Sequence, residues 1–150
     1  MPTDQNTVPP AAFSGWQRRT GLFLAGQAVS LFGSSLVQYA IVWYITLTTS
    51  SGLMMTISTL CGFLPQIVIS LFAGVWADRF NRKYLIMLSD SLIACSTLVL
   101  AVLFLLGNQQ LWLLFLVSAI RSFGSGIQTP AVNALIPQIV PPEKLMRVNG

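Results

Sequence analysis

Two charged residues stand inside apolar segments of this chain, Asp90 and Arg121. An arginine at the centre of a bilayer costs at least about 2.5–3.5 kcal/mol, so each such charge needs a partner or a wet cavity. Two roles are open to Arg121. It is a structural clamp on a carboxylate or on backbone carbonyls, or a cavity-facing cation that biases substrate or proton coupling. Its partner is either Asp90 or a polar stripe in the first apolar segment, where Ser30 and Gln27 lie at a similar depth. Asp90 has a plainer alternative, a pair with the basic loop that precedes its own segment. At 1.5 Å per residue, Asp90 lies about 10 Å from one membrane face and Arg121 about 15 Å from either. A long side chain spans that gap.

The uncharged polar residues inside the segments are also ordered. Gln27, Ser30, Ser34 and Gln38 follow at steps of 3, 4 and 4. On a helix they fall within about 80° of one another, which is one stripe. Thr56, Thr59, Gln66 and Ser70 form a second stripe, and Ser118, Arg121, Ser125 and Gln128 a third. A single Ser or Thr in a membrane helix commonly bonds its own backbone or a neighbouring helix. Three ordered stripes with amide side chains cannot all face lipid. They are expected to face one another or a cavity.

The densest charge lies in the ten residues from Gly74 to Lys83, with Asp78, Arg79, Arg82 and Lys83 in a run of six. Long apolar stretches flank it, so it reads as a short basic loop held on one side of a bilayer.

The elements that position these residues follow from composition. The 150 residues are 54% hydrophobic and 8% charged, with mean hydropathy +0.72. A soluble domain carries about 25% charged residues. Each crossing of the hydrocarbon core takes about 20 apolar residues. Four spans result, at about 20–47, 53–77, 84–106 and 111–138. The expected fold is therefore all-α, a polytopic membrane protein with four transmembrane helices. Barrel strands are excluded, being about 10 residues long and alternating. Residues 1–17 read as a polar cytoplasmic tail, 18–139 as the four-helix membrane region and 140–150 as a cytoplasmic segment of a chain expected to continue. The first span is too long for a signal peptide and is expected to stay in place.

Arg18 and Arg19 precede the first span, Arg79, Arg82 and Lys83 lie between the second and third, and Lys144 and Arg147 follow the fourth. The other two loops carry no charge. All extramembrane cations thus share one side, and the positive-inside rule makes it cytoplasmic, the N-terminus included. A net charge of +4 with pI near 9.6 could suggest nucleic acid, but cations at helix ends are topology signals, and no nucleic-acid partner is expected. Cys61 and Cys95 fall inside spans and read as small apolar residues. With no histidine and four carboxylates, Asp4, Asp78, Asp90 and Glu143, no cofactor, metal site or catalytic residue is expected, and an enzyme is disfavoured.

The loop pattern G-x-x-x-D-R-x-G-R-K between second and third helices resembles the signature loop of the major facilitator superfamily. Gly74, Asp78, Arg79, Arg82 and Lys83 match, and Asn81 replaces the second glycine. Asn tolerates the left-handed conformation best among non-glycine residues, so the same tight turn is expected. Arg121-Ser122-Phe123-Gly124-Ser125-Gly126 is similar to the family's arginine-and-glycine run in the fourth helix. Thr129–Pro137, Val140–Leu145, Ala25–Leu31 and Gly62–Pro65 resemble the macrolide-efflux branch.

The resemblance implies a proton-driven exporter of hydrophobic drugs such as macrolides in a cell membrane, the bacterial inner membrane by type. Its implied partners are the bilayer, the drug, protons and the remainder of a transporter of roughly twelve helices in two halves. It implies that the loop is a gating latch, with Asp78 capping a helix of the second half and Gly74 allowing close packing there. Many facilitators carry a carboxylate near the inner end of the fourth helix, where this sequence has Gln138. The expected reading is a piece of such an exporter, covering about four helices and inactive by itself. A stand-alone four-helix multidrug transporter or a membrane scaffold subunit are the alternatives. The first is disfavoured because the first span holds no carboxylate.

Overall fold

The computed structural model describes residues 16–140. The tail before residue 16 and the segment 141–150, with Glu143, Lys144 and Arg147, lie outside the described residues. Four helices follow in order: α1 Trp16–Thr49, α2 Gly52–Arg79, α3 Arg82–Leu105 and α4 Leu111–Ile139. All four are long and apolar enough to cross a membrane, and there is no strand among the described residues. At 24 to 34 residues each, they exceed the about 20 residues that a span takes.

The links are short and each has a local cause. Ser50 takes a positive φ of 49°, and Ser51 then caps α2 by accepting from the Met54 N–H. At the α3–α4 turn Gly107 has φ 83°, a conformation that glycine enters without steric cost. Between α2 and α3 only Phe80 and Asn81 intervene. Asn81 does not use the left-handed conformation open to it. Its φ is −65° and ψ 113°, and its Oδ1 accepts from the Lys83 N–H at 3.1 Å. Asn81 is thus the N-cap of α3, a role that asparagine fills better than most residues. Replacing it with glycine should cost only a few tenths of a kcal/mol, and with alanine about 1 kcal/mol. Thermal melts of the Asn81→Gly and Asn81→Ala proteins in detergent would rank them. A glycine variant more stable than wild type would contradict the cap.

Consecutive helices run antiparallel. Gln27–Gln128 with Ser34–Arg121, and Asp90–Gln128 with Thr97–Arg121, set α1 and α3 antiparallel to α4, while Gln66–Ser122 and Arg82–Ala134 step the same way and set α2 parallel to it. α4 is the central helix. It packs most extensively on α2, next on α3, while α1 touches the others more sparsely. Small residues make this approach close. A Cβ on Gly126 would meet the Gln66 carbonyl oxygen at 2.8 Å, and one on Gly124 would meet Ile93 Cγ1 at 2.8 Å. α2 runs on through Pro65, and the next amide, Gln66 N–H, donates to Ser122 Oγ on α4 at 3.0 Å.

Toward the Ser50 and Gly107 links the bundle is apolar. Ile41, Ile45, Leu100, Leu114 and Val117 form the buried cluster there. Tyr44 packs edge-on against Phe104 with ring centroids 5.2 Å apart. On the outside, Leu, Ile, Val, Phe and Trp side chains stand exposed along all four helices, among them Val29, Leu71, Leu105 and Trp112. Apolar surface of that extent belongs in hydrocarbon, so the chain is a multi-pass membrane protein.

Candidate functional site

The charged and amide residues of α1, α3 and α4 meet in two stacked polar layers. In the first, Arg121 reaches across from α4. Its guanidinium donates to the Ser34 carbonyl at 2.8 Å, to Ser34 Oγ at 2.9 Å, and to Thr97 Oγ1. Arg121 is only 3% exposed, and the groups that hold its charge are all neutral. In the second, Gln128 donates from Nε2 to Asp90 Oδ1 at 2.6 Å and to Gln27 Oε1 at 3.2 Å. Ser30 Oγ adds a longer bond to the same carboxylate oxygen at 3.3 Å.

Each helix contributes to the two layers with residues seven apart: Gln27 and Ser34 on α1, Asp90 and Thr97 on α3, Gln128 and Arg121 on α4. Seven residues are two helical turns, about 10 Å, and return to nearly the same face. Of the two partners open to Arg121, the structure selects the α1 stripe. The member engaged is Ser34, and Asp90 takes no part. The sole ion pair among the described residues is Arg82–Asp78, so Asp90 pairs neither with Arg121 nor with the basic loop. Thr97 escaped the sequence reading. A threonine inside a span is ordinary, and this one also donates to the Ile93 carbonyl of its own helix at 2.8 Å.

Beside the Arg121 layer lies a cleft of about 890 Å³ between α1, α2 and α4. Ser34, Gln38, Gln66, Arg121, Ser122 and Ser125 supply its polar lining; Leu31, Tyr39, Trp43 and Phe63 its apolar and aromatic walls. Gln38 Nε2 is buried with no hydrogen-bond partner, as is Arg121 Nε. Gly62 makes room for the Gln38 amide, since a Cβ there would stand 2.5 Å from its nitrogen. The volume falls within the roughly 300–1,000 Å³ of small-molecule sites, and apolar walls with few polar groups are their usual chemistry.

The α2 stripe is only partly part of this site. Thr56, Thr59 and Ser70 donate to the Gly52, Met55 and Ile67 carbonyls of their own helix. Self-satisfied hydroxyls need no partner, so periodicity overstated that stripe. Of its members, Thr59 and Gln66 line the cleft. In the third stripe, Ser118 is buried with its Oγ unpartnered.

The basic loop is a separate assembly at the other end of α2. Arg82 organises it, donating from Nε to the Ala77 carbonyl at 3.1 Å and from Nη1 to the Ala134 carbonyl at 3.0 Å. It thereby ties the C-terminal ends of α2 and α4 together. Cations are favoured at such ends, where carbonyls lack intrahelical partners. The Arg82–Asp78 pair spans 3.7 Å and Asp78 is 77% exposed, so it contributes at most about 1 kcal/mol. Arg79 and Lys83 point outward, and a Cβ on Gly74 would meet open space. Asp78, Asn81, Arg82 and Gln138 line a cavity of about 330 Å³.

Residues 23–150 match the family model described as Major Facilitator Superfamily. The chain is 36% identical over 138 residues to "Macrolide efflux protein A" of Streptococcus pyogenes, covering 92% of this chain and 34% of that protein. It is 37% identical over 92 residues to a protein of the same name from Enterococcus faecalis, covering 61% of this chain and 28% of the relative. A "Staphyloferrin A transporter" of Staphylococcus aureus is 23% identical over 124 residues, covering 80% of this chain and 30% of the relative. The chain thus spans about a third of the length of these relatives. No solved structure matches it.

Proposed function

Because the chain belongs to the major facilitator superfamily, we propose that its four helices serve a proton-coupled exporter of hydrophobic drugs of the macrolide type. Membership in a transporter family argues for carriage rather than catalysis. The observation that carries the reading is the cleft between α1, α2 and α4. It joins aromatic and aliphatic walls to a buried cation held by neutral groups, a site suited to a large apolar molecule with scattered hydrogen-bonding oxygens. The two relatives named as macrolide efflux proteins support the substrate class.

In this proposal the membrane is the bacterial inner membrane, and the basic loop and N-terminus are cytoplasmic, as the distribution of lysine and arginine favours. The cleft residues Arg121, Ser34 and Gln38 bind or couple together with the adjoining layer of Gln27, Ser30, Asp90 and Gln128, while Gly74, Asp78, Arg79, Asn81, Arg82 and Lys83 gate. Arg82 acts in the gate by holding the inner ends of α2 and α4 as one unit. The proposed partners are the drug, protons and the other helices of the transporter.

Drug accumulation tests this directly. Cells expressing the protein from its own gene should retain less radiolabelled macrolide than cells carrying a deletion. The difference should vanish when a protonophore collapses the gradient. Equal retention in the two strains would refute the substrate class.

A further inference from the structure

We propose that Gln38 is the specificity residue of the cleft, a retracted hydrogen-bond donor that swings away from Gly62 to meet a ketone or ester carbonyl oxygen of the drug. The inference rests on the drug-exporter reading above. It deepens that reading by naming the group on the substrate that is recognised and the residue that recognises it.

Gln38 lies one turn beyond Ser34 on α1, toward the Ser50 and Gly107 links. In the same direction, Gly62 lies one turn from Gln66 on α2 and Ser118 one turn from Ser122 on α4. Ser34 is bonded to Arg121, and Gln66 to Ser122. Gln38, Gly62 and Ser118 therefore share a level about 6 Å beyond the Arg121 layer. The next turn holds Ile41 and Leu114 of the apolar cluster. Gln38 Nε2 and Ser118 Oγ are buried at this level without a partner, as is Arg121 Nε in the adjacent layer. Buried polar atoms are nearly always paired. These three belong to helices that form the cleft, and Gln38 and Arg121 line it directly.

The character of these atoms fixes what complements them. An amide NH2 and a guanidinium N–H only donate. The Ser34 and Ser122 hydroxyls in the same wall already accept, from Arg121 and from the Gln66 N–H. The cleft thus offers donors to a ligand that brings an acceptor. Among the oxygens of an apolar drug, a carbonyl accepts through two lone pairs and has no proton of its own to place. Gln38 can reach such a group without losing anything. Its Nε2 stands where a Cβ on Gly62 would approach to 2.5 Å, and it holds no bond there. Turning the amide into the cleft therefore breaks no hydrogen bond, and the bond to the drug is a gain over the empty site. Gly62 supplies the room for the retracted position; a methyl group there would hold the amide out.

Equilibrium binding of a radiolabelled macrolide provides the test, with the protein expressed from its own gene and purified into lipid nanodiscs. Gln38→Met keeps the length of the side chain and removes the donor. It should weaken binding about tenfold. It should also melt at or above wild type, because a buried amide without a partner has been removed. Macrolide analogues, each with one carbonyl replaced by a methylene, identify the contact. One of them should bind wild type about tenfold more weakly than the parent drug, and Gln38→Met should bind that analogue and the parent alike. Gly62→Ala should bind the parent at least as tightly as wild type, since its amide is already turned out. Unchanged binding by Gln38→Met, or losses from analogue and variant that multiply, would overturn the proposal. A Gln38→Met protein that melts well below wild type would overturn it too, by making the amide a structural bond. Gly62→Ala binding as weakly as Gln38→Met would overturn the retracted position. Wild-type protein that binds no macrolide would instead refute the drug-exporter reading.

Discussion

Arg121→Ala should abolish drug efflux while leaving the amount of protein in the membrane close to wild type. The separation of the two effects follows from what Arg121 touches. Its three acceptors are the Ser34 carbonyl, Ser34 Oγ and Thr97 Oγ1. None is charged, so removing the guanidinium strands no buried counter-ion. Thr97 keeps its bond to the Ile93 carbonyl, and the Ser34 hydroxyl can turn to its own helix as Ser35 does to Leu31. The membrane is also relieved of a buried charge that costs at least about 2.5–3.5 kcal/mol. Replacing such charges is often neutral or stabilising when no partner is left unpaired. The sequence therefore retains this cation at an energetic cost, and the cleft beside it supplies the reason. Arg121→Lys should recover only part of the efflux, because an ammonium lacks the planar fork that reaches α1 and α3 together. Quantitative blotting of membranes beside macrolide accumulation checks both. Full transport by Arg121→Ala would remove the residue from the mechanism. Loss of protein from the membrane, matching the loss of efflux, would reduce it to a structural clamp.

The legible and the hidden parts of this molecule divide along a physical line. Four helices could be read because long apolar runs have no alternative in a bilayer, where every backbone group must be satisfied within the span. The face of each polar residue could also be read, since 100° per residue fixes positions within one helix. What a helical wheel does not contain is its rotation against its neighbours. Asp90 and Arg121 looked like partners because they are the two intramembrane charges, yet they sit in different layers. The signal that separates them was present in the chain as a spacing of seven on three helices, Gln27 to Ser34, Asp90 to Thr97 and Arg121 to Gln128. Read together, those intervals place Thr97 opposite Arg121. The α2 stripe was misjudged for the opposite reason. Thr56, Thr59 and Ser70 follow the helical period but satisfy themselves on the preceding turn, as short hydroxyl side chains readily do. Asn81 shows a third case. An asparagine before an apolar run is an N-cap signal, and a cap needs no positive φ.

Gly126→Ala should cause the largest loss of stability of the glycine-to-alanine changes among the described residues. The new Cβ would overlap Ile69 Cγ2 and stand 2.8 Å from the Gln66 carbonyl oxygen and 3.1 Å from Gln66 Cα. Ile69 can rotate its side chain aside. The Gln66 backbone cannot, because it lies within α2 and its amide is bonded to Ser122 of α4 at 3.0 Å. The two helices must therefore separate, and they form the most extensive contact in the bundle. In lipid that contact depends on close van der Waals packing and interhelical hydrogen bonds, since apolar burial gives little extra drive. Overpacking of this kind costs about 1–3 kcal/mol, with the upper end expected where backbone is the obstacle. The other glycines set a scale. A Cβ on Gly124 meets the Ile93 side chain and one on Gly62 meets the far end of Gln38, both more yielding than backbone. A Cβ on Gly33 meets nothing within 4 Å, and there alanine should hold or raise stability through its better helix propensity. Thermal melting of the four alanine variants in detergent should rank Gly126 below Gly124 and Gly62, with Gly33 at or above wild type. A Gly126→Ala protein that melts with the wild type would mean that α2 and α4 do not meet at Gln66 and Ser122, and the cleft they share with α1 would have to be drawn differently.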